Sequence, residues 1–312
     1  MTTRFGYRKV LVVGAKGTVG SEATRALLER GAAVRALVRS LRGTERLDAC
    51  EFVVGDLKDD KATAAALEGV SAAFYVSPHE PDEETLAETF VRACERARVR
   101  LVFVGVHADA PTRLQRALKR FMFGRLLSPY APKFRISERV RRSSADPVVL
   151  MPTNYFQNDE LFLDQIAAGH FTQPFERAVN RVDVRDLGAA AARACLDPTL
   201  PSGAYPVVGP ASLDAAACAE IWANELGSDV RYVRDESLEA LRSALAGKLS
   251  GKKRQDFTAS YSAIRRYELP TSQAELARTA ALIEREPTPY AAYVRDAVKR
   301  LRAAREANTA AQ

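Results

Sequence analysis

The sequence predicts an α/β protein: a doubly wound parallel sheet with a smaller, mainly helical C-terminal lobe. Two observations predict the sheet. From residue 9 to residue 152 short β-branched runs alternate with helical patterns, and the runs at 9–13 and 101–104 are apolar without alternation. Alternating strands and helices form parallel βαβ units, and continuously apolar strands are typical of sheets covered by helices on both faces. The loss of this rhythm after Pro152 predicts the lobe.

Six aliphatic runs form the predicted strands: KVLVVG at 9–14, AVRALV at 33–38, EFVVGD at 51–56, AAFYVS at 72–77, RLVFVG at 100–105 and PVVLMP at 147–152. Helical patterns are found at 18–30, 60–68, 83–98, 111–128 and 133–144. We expect a first domain over residues 1–152, to which residues from about 179 to 209 return. The returning part includes a strand-like segment at 204–209. The smaller lobe, over 153–312, should contain a strand-like segment at 229–233, an exposed basic loop at 246–256 and a helical tail to about residue 306.

Composition limits the class of protein. The chain has 312 residues, of which 47% are hydrophobic and 27% are charged, a balance typical of globular proteins. No apolar stretch reaches the roughly 18 residues that a membrane span needs. The N-terminal MTTRFGYRKV lacks the apolar segment of a signal peptide. We therefore expect a cytoplasmic protein with no transmembrane segment.

Cysteines, histidines and charge exclude further kinds of site. The four cysteines form no C-x-x-C pair and the three histidines have no metal-ligand spacing, so neither a disulfide nor a metal site is predicted. The net charge of +7 is spread along the chain without a recognisable nucleic-acid reading element. A small-molecule substrate is expected and nucleic acid is not, while monomer and homodimer both stay open.

A glycine-rich segment, here called the glycine loop, joins the first strand to the first helix. Gly14, Gly17 and Gly20 lie at intervals of three in VVGAKGTVGSE. Glycines at such a turn let backbone N–H groups approach a pyrophosphate, and the helix N-terminus adds partial positive charge. The spacing is G-x-x-G-x-x-G and not the commoner G-x-G-x-x-G. We predict a dinucleotide-binding loop that includes Thr18 and Val19 at the start of the helix.

The end of the second strand predicts which dinucleotide binds. Folds that bind NAD usually carry an acidic residue there for the ribose 2′-hydroxyl, whereas an arginine accommodates a 2′-phosphate. Here the strand ends at Arg39, with Arg42 beyond it and no carboxylate before Glu45. Lys16 in the glycine loop can reach the same phosphate from the opposite side, so the predicted cofactor is NADP(H). The alternative is that Lys16 and Arg39 are ordinary surface cations.

The ends of the next two strands supply the other predicted cofactor contacts. Asp56 and Leu57 follow the third strand in VVGDLKD, where the Asp56 carboxylate or the following backbone can hold the adenine amino group. N-capping of the next helix by Asp56 explains the same residue equally well. Ser77 follows the fourth strand at the same sheet edge and is a further predicted contact.

Longer segments carry a resemblance to a known family. The order and spacing of GDLKD, VLMPTNYFQN, NRVDVRDLGAAAA, GAYPVVGPASLDAAACAEIWANELG and EREPTPYAAYVRD resemble the NmrA-like branch of the atypical short-chain dehydrogenases. The resemblance implies a Rossmann domain of six or seven parallel strands, NADP at Gly14, Gly17, Gly20 and Arg39, and a substrate cleft roofed by the C-terminal lobe. It does not imply one activity, because the family contains quinone reductases, relatives of isoflavone reductases and proteins that sense redox state through NADP.

The proton-handling residues of short-chain dehydrogenases are only partly present. Those enzymes place a tyrosine four residues before a lysine, and a serine at the end of the fifth strand. Here Tyr130 precedes Lys133 by three residues, while Gly105 and Val106 stand where the serine is expected, so the triad is not supported. The resemblance implies that Lys133 binds the nicotinamide ribose or acts as the acid; the alternative is an ordinary solvated helix residue. His107, just past the fifth strand, and Tyr130 are the other candidate proton donors, although a lone loop histidine is more often structural.

The predicted substrate contacts are His107 and a set of aromatic and amide residues. Asn154, Tyr155 and Phe156 follow the sixth strand and combine apolar faces with amides, which suits an aromatic or quinone-like molecule. The basic helix at 111–128 is interpreted as a lid from which Phe121 touches substrate, with a partner-binding face or a shallow membrane anchor as alternatives. Core packing explains the aromatic residues nearly as well.

Two functions fit these residues. The first is an NADPH-dependent reductase of a small conjugated, aromatic or quinone-type compound, in which Lys133 positions the cofactor and His107 or Tyr130 helps with the proton. The second is a non-catalytic NADP(H) sensor that acts through a protein partner. The missing serine and the displaced tyrosine favour the sensor, but quinone reduction needs no strong general acid.

Overall fold

The computed structural model describes residues 8–45, 47, 49–107, 114, 117, 118, 121, 131–235, 237–249, 251–266 and 271–310. These residues form two compact units. The first unit contains the described residues up to Thr153 together with Val184–Val207 and Gln273–Glu286. The second contains Asn154–Asp183, the described part of Val208–Ser272, and the chain from Pro287 onward.

A seven-stranded parallel sheet forms the centre of the first unit. Its strands are β1 (Lys9–Val13), β2 (Ala33–Val38), β3 (Cys50–Val54), β4 (Ala72–Tyr75), β5 (Arg100–Val104), β6 (Val148–Pro152) and β10 (Gly203–Val207). Their order is β10-β6-β5-β4-β1-β2-β3, and every neighbouring pair is parallel. The predicted doubly wound sheet is confirmed, and it has seven strands.

Helices cover both faces of this sheet. They are α1 (Thr18–Glu29), α2 (Asp60–Leu67), α3 (Glu83–Ala97), α4 (Ala131–Arg141), α6 (Val184–Leu196) and α10 (Gln273–Ile283). On one face, α2, α3 and α4 enclose a hydrophobic core with sheet side chains such as Leu11, Tyr75 and Phe103. On the other face, α1 and α6 pack against each other and against the sheet. Central strands such as β5 are therefore buried at every position.

The direction of strand order reverses between β1 and β4. Open α/β sheets bind ligands at the carboxyl ends of the strands beside such a reversal. The carboxyl ends of β1 to β5 carry, in order, the glycine loop, Arg39, Asp56, Ser77 and His107. The fold thus brings five separate predicted positions to one edge.

The second unit is mainly helical. It has a three-stranded sheet, β11 (Ser212–Leu213), β9 (Val179–Val182) and β7 (Asn154–Tyr155), and a parallel pair, β12 (Arg231–Arg234) and β8 (His170–Gln173). Its helices are a 3-10 helix (Phe156–Phe162), α5 (Leu163–Ala167), α7 (Ala215–Leu226), α8 (Glu239–Ala246), α9 (Gly251–Arg266) and α11 (Tyr290–Ala310). Aromatic rings fill its core: Phe156, Phe162, Phe171, Trp222, Tyr261, Tyr290 and Tyr293. In the described part of the chain, no helix is both long enough and apolar enough to cross a membrane.

The prediction of a basic loop at 246–256 is wrong for the second half of that segment. Helix α9 begins at Gly251, and the Lys252 ammonium pairs with the Asp256 carboxylate one turn later at 2.7 Å. Asp256 is buried, and Tyr261 of the same helix lies in the aromatic core. Burial of one face of α9 therefore stabilises a helix in a segment whose lysines and glycines favour a loop.

Candidate functional site

The glycine loop has the geometry of a close backbone approach. Gly14 follows β1 at φ +92°, a conformation that L side chains rarely adopt, and its carbonyl oxygen accepts the N–H of Gly17 at 2.9 Å. A β-carbon on Gly20 would lie 2.0 Å from the Gly14 oxygen, so only glycine lets α1 pack this closely on the loop. Gly17 is the N-cap of α1, and the first turn, which starts at Thr18 and Val19, holds no acidic residue. A loop of this form can hold a pyrophosphate.

Two cations lie at the carboxyl end of β2. The Lys16 ammonium donates to the carbonyl oxygens of Ser40 at 3.2 Å and of Arg42 at 2.9 Å. The Arg39 side chain is 74% exposed and makes a 3.1 Å ion pair with Glu80. Such an exposed pair stabilises the protein by only about 0–1 kcal/mol, so a ligand anion can replace Glu80 at little cost. Lys16 of the glycine loop therefore lies at the end of β2, the arrangement expected for the predicted 2′-phosphate site.

Asp56 does not cap the helix that follows it. The N-cap of α2 is Asp59, whose carboxylate accepts the N–H groups of Lys61 and Ala62. Asp56 instead accepts the N–H of Lys58 at 2.9 Å in a local turn. The capping alternative is thus wrong, and a cofactor contact through Asp56 stays a prediction. Leu57 is buried in the core of the first unit.

Lys133 is buried beside the loop that follows β4. Its ammonium donates to the carbonyl oxygen of Ser77 at 2.7 Å, to the Ser77 hydroxyl and to the Pro78 carbonyl oxygen at 3.3 Å. The Glu83 carboxylate lies 2.8 Å away and is itself buried. The alternative of a solvated helix residue is therefore wrong. Because the Ser77 hydroxyl oxygen accepts a hydrogen bond from Lys133, its own hydrogen is left for another acceptor.

His107 is held at the carboxyl edge of the sheet by two contacts. Its backbone N–H donates to the Pro152 carbonyl oxygen at 3.1 Å, and its ring Nε2 lies 2.7 Å from a carboxylate oxygen of Glu275 in the first turn of α10. The residue is only 5% exposed. Its Nδ1 is buried and has no hydrogen-bond partner among the described residues. The ring therefore has one nitrogen fixed by a carboxylate and one without a described partner.

The space where short-chain dehydrogenases carry a serine is filled from another element. A β-carbon on Gly105 would lie 2.7 Å from the Ser137 hydroxyl oxygen and 3.0 Å from Val149. Ser137 lies on α4 and donates to the carbonyl oxygen of Lys133 at 2.8 Å. A serine at position 105 would clash with these groups, which explains the glycine.

The remaining predicted site residues are placed as follows. Tyr130 lies outside the described residues, and Phe121 is helical with a 67% exposed side chain. Asn154 and Tyr155 are half-buried in β7, where the Asn154 amide oxygen accepts the Tyr155 N–H at 3.0 Å. Phe156 is packed in the second unit's core, with its ring 5.0 Å from that of Tyr290. Core packing thus accounts for Phe156, and substrate contact by these residues stays a prediction.

Comparison with known proteins agrees with this fold. The sequence profile of the NmrA-like family matches residues 7–294. The chain belongs to the NmrA-like family. It is 30% identical over 246 residues to the NAD(P)H azoreductase of Xenophilus azovorans, an alignment that spans 76% of this chain and 80% of that protein.

Solved structures share the fold of this NmrA-like chain. The NADPH-dependent quinone oxidoreductase of Escherichia coli, solved with NADPH, superposes with a TM-score of 0.70 at 18% identity, over 94% of this chain and 99% of that one. NmrA itself, a negative transcriptional regulator solved with NADP, superposes with a TM-score of 0.75 at 19% identity, over 96% and 98% of the two chains. At such identities the likeness establishes the fold alone.

Three polar residues of this NmrA-like protein contact predicted site residues or the space beside them but were not predicted from the sequence. They are Glu83, Ser137 and Glu275. Ser137 had a signal, because it lies one helical turn after Lys133 and so on the same face. Glu83 and Glu275 had none, since each meets its partner only through tertiary packing, and 168 residues separate Glu275 from His107.

Proposed function

We propose that the protein is an NADPH-dependent reductase of a small conjugated, aromatic or quinone-type compound. The main observation in support is that the Lys16 ammonium binds carbonyl oxygens at the end of β2, beside the exposed Arg39 and the glycine loop. The relative is an NAD(P)H azoreductase and one structural neighbour is an NADPH-dependent quinone oxidoreductase. Azo and quinone groups are both conjugated acceptors of a hydride, so the similarities support one class of substrate.

The residues at the sheet edge fit NADP(H). In this proposal the glycine loop and the start of α1 hold the pyrophosphate, and Arg39 and Lys16 hold the 2′-phosphate. Asp56–Leu57 lies at the adenine, and Ser77 with Lys133 at the nicotinamide ribose. The exposed arginine is the stronger partner for the phosphate because its planar fork binds two oxygens at once.

The chain contributes positioning and one proton to the reaction. When bound, the reduced nicotinamide supplies a hydride to the acceptor. Lys133 holds Ser77 and Pro78 in place, and because several protein acceptors surround its ammonium we assign it positioning and not proton donation. His107 is the proposed proton donor, since it is buried at the same edge and its Nδ1 has no described partner.

A turnover assay tests the proposed function. The purified protein is mixed with NADPH or NADH and a panel of quinones, azo dyes and enones, and loss of the reduced-nicotinamide absorbance is followed. We expect oxidation of NADPH with at least one quinone or azo acceptor, and slower oxidation of NADH. Tight binding of NADPH without turnover of any acceptor would overturn the reductase.

A non-catalytic NADP(H) sensor is the second candidate. It is favoured by Gly105 in the serine position and by the protein contacts of Lys133. The structural likeness to a transcriptional regulator is compatible with it. This candidate requires binding without turnover and a protein partner that associates with only one redox form of the cofactor.

A further inference from the structure

The contact between His107 and Glu275 goes beyond the residues that bind the cofactor. We infer that Glu275 is the positioning residue that orients the His107 ring, with Nε2 toward Glu275, so that Nδ1 is the nitrogen that gives the proton to the reduced acceptor. This inference rests on the proposed reductase function. Helix α10, which is far from β5 in the sequence, would thus supply the residue that orients the proton donor at the end of β5.

The geometry of the pair supports an orienting role. Nε2 and the carboxylate oxygen are 2.7 Å apart, within the range of charge-assisted hydrogen bonds. The side chains are 4% and 13% exposed, so water competes little for either group. A hydrogen bond in such surroundings fixes both the ring orientation and which nitrogen carries the first hydrogen.

The second nitrogen of the ring is the observation that points to a ligand. Nδ1 is buried without a hydrogen-bond partner in the part of the chain that the structure describes. Leaving a buried polar atom without a partner costs about 1–3 kcal/mol, and such atoms are uncommon in native proteins. A bound acceptor with a carbonyl or azo group would give this nitrogen its partner.

Other residues of α10 dock this helix, which argues against a purely structural tether through Glu275. The Thr279 hydroxyl contacts the Pro206 carbonyl oxygen at 3.1 Å, and Arg278 donates to the Ala204 carbonyl oxygen at 2.9 Å. Leu282 and Ile283 of the same helix are buried. These contacts hold the helix to β10 and thereby fix the point at which Glu275 meets His107.

The proton balance of the step is simple. Hydride transfer adds two electrons and one hydrogen nucleus to the acceptor, and the His107 imidazolium adds the second hydrogen as a proton. The Nδ1–H bond breaks while an O–H or N–H bond forms on the acceptor, and the neutral ring then takes a proton from water. Glu275 stays ionised and stabilises the imidazolium, in the manner of carboxylates that orient catalytic histidines.

The test combines kinetics with a spectroscopic measurement that needs no turnover. The variants are Glu275→Gln, Glu275→Asp and His107→Gln, and the matched control is Glu284→Gln, which removes a carboxylate just beyond α10 that pairs with Arg193. For each we would measure kcat and KM with the best acceptor, the Kd for NADPH, and the ring nitrogen and N–H signals of His107 by NMR. The chain contains only three histidines, so the assignment is tractable.

We expect Glu275→Gln and His107→Gln each to lower kcat about 10- to 100-fold. This loss lies at or below the lower end of the roughly 100- to 10,000-fold that a general acid contributes, because a quinone-type acceptor needs no strong acid. The Kd for NADPH should stay within about twofold, and Glu275→Asp should recover part of the rate. The exchange-protected Nε2–H signal should be lost in Glu275→Gln and kept in Glu284→Gln. The control should keep kcat.

Two results would overturn the inference. One is an unchanged kcat in Glu275→Gln, and the other is an unchanged His107 signal in that variant. If the wild-type protein oxidises no NADPH with any acceptor, the proposed function fails and the proton-donor role fails with it. The ring signals then still decide whether Glu275 orients His107, so the two failures are distinguishable.

Discussion

At the residue scale, the buried Lys133 ammonium is balanced by protein groups. Removing an ammonium from water costs several kcal/mol, which is offset here by the carboxylate of Glu83 at 2.8 Å and by the carbonyl oxygens of Ser77 and Pro78. Because both groups are buried, removal of one takes the 2.8 Å ion-pair partner from the other. The pair therefore holds the loop after β4 rigidly at the sheet edge.

The variant Lys133→Met tests this balance. It keeps the apolar stem but removes the ion-pair partner of the buried Glu83 carboxylate, so we expect the free energy of unfolding to fall by about 3–5 kcal/mol in urea titrations. The double variant Lys133→Met with Glu83→Gln should be more stable than Lys133→Met alone, because no buried charge is left. A single variant as stable as the wild type would contradict the account.

Local sequence patterns predict residues of the candidate site but not their partners. Lys133, Ser77 and His107 are placed by local patterns, since each follows or faces a strand end that periodicity predicts. Glu83 and Glu275 carry no local signal, because a surface glutamate and a buried one look alike in a helical pattern. Only the packed structure shows which carboxylate pairs with which side chain.

At the element scale, the approach of α1 to the glycine loop depends on Gly20. The contact is with backbone, which cannot move aside as a side chain can. Helix α2 is fixed in a different way, through the N-cap contacts of Asp59. Each element thus has one residue whose replacement should disturb it selectively.

The first prediction at this scale concerns Gly20→Ala. The added methyl would overlap the Gly14 carbonyl oxygen, so we expect a loss of about 2–3 kcal/mol of unfolding free energy and weaker binding of NADPH. The matched control is Gly247→Ala at the end of α8, where the added carbon meets nothing within 4 Å. If the two variants were equally stable, the close approach would be wrong.

The second concerns the cap of α2. Asp59→Ala should cost about 1 kcal/mol, because two first-turn N–H groups lose their acceptor. Asp56→Ala removes a single local contact and should cost less. The unfolding free energies of the two variants are compared by thermal or urea denaturation. A larger loss of stability in Asp56→Ala than in Asp59→Ala would contradict the assignment of Asp59 as the N-cap.

Element boundaries were predictable where strands and helices alternate strongly. The predicted helices at 18–30 and 60–68 end within one residue of α1 and α2. The segment at 246–256 was not predictable, since its glycines and lysines favour a loop and the burial of Tyr261 becomes known only from the fold. Tertiary packing overrides local preference there.

At the scale of the whole molecule, the two units differ in how far the sequence predicts them. The first six strands of the first unit follow from alternation and apolar runs, which leave few topologies open. The core of the second depends on a buried ion pair, Arg181 with Asp159 at 2.7 Å, and on Tyr290, which donates to the same carboxylate. These partners come from distant segments, so no local pattern could indicate them.

We propose that a phosphorylated dinucleotide binds across the carboxyl ends of β1 and β2. The electrostatic part of this binding rests on Arg39 and Lys16, the proposed partners of the 2′-phosphate. Charge-assisted hydrogen bonds contribute about 1.5–3 kcal/mol each, so these residues should set the preference between the two coenzymes. Both coenzymes contain the pyrophosphate, so its binding by the glycine loop should not affect the preference between them.

The most direct measurement is isothermal calorimetry with NADPH and NADH on the wild type, on the double variant Arg39→Ala with Lys16→Ala, and on Arg92→Ala as a surface control. We predict that the wild type and the control prefer NADPH at least about tenfold, and that the double variant loses this preference while its affinity for NADH changes less than about threefold. Equal affinity of the wild type for both coenzymes, or a preference that survives in the double variant, would contradict the account.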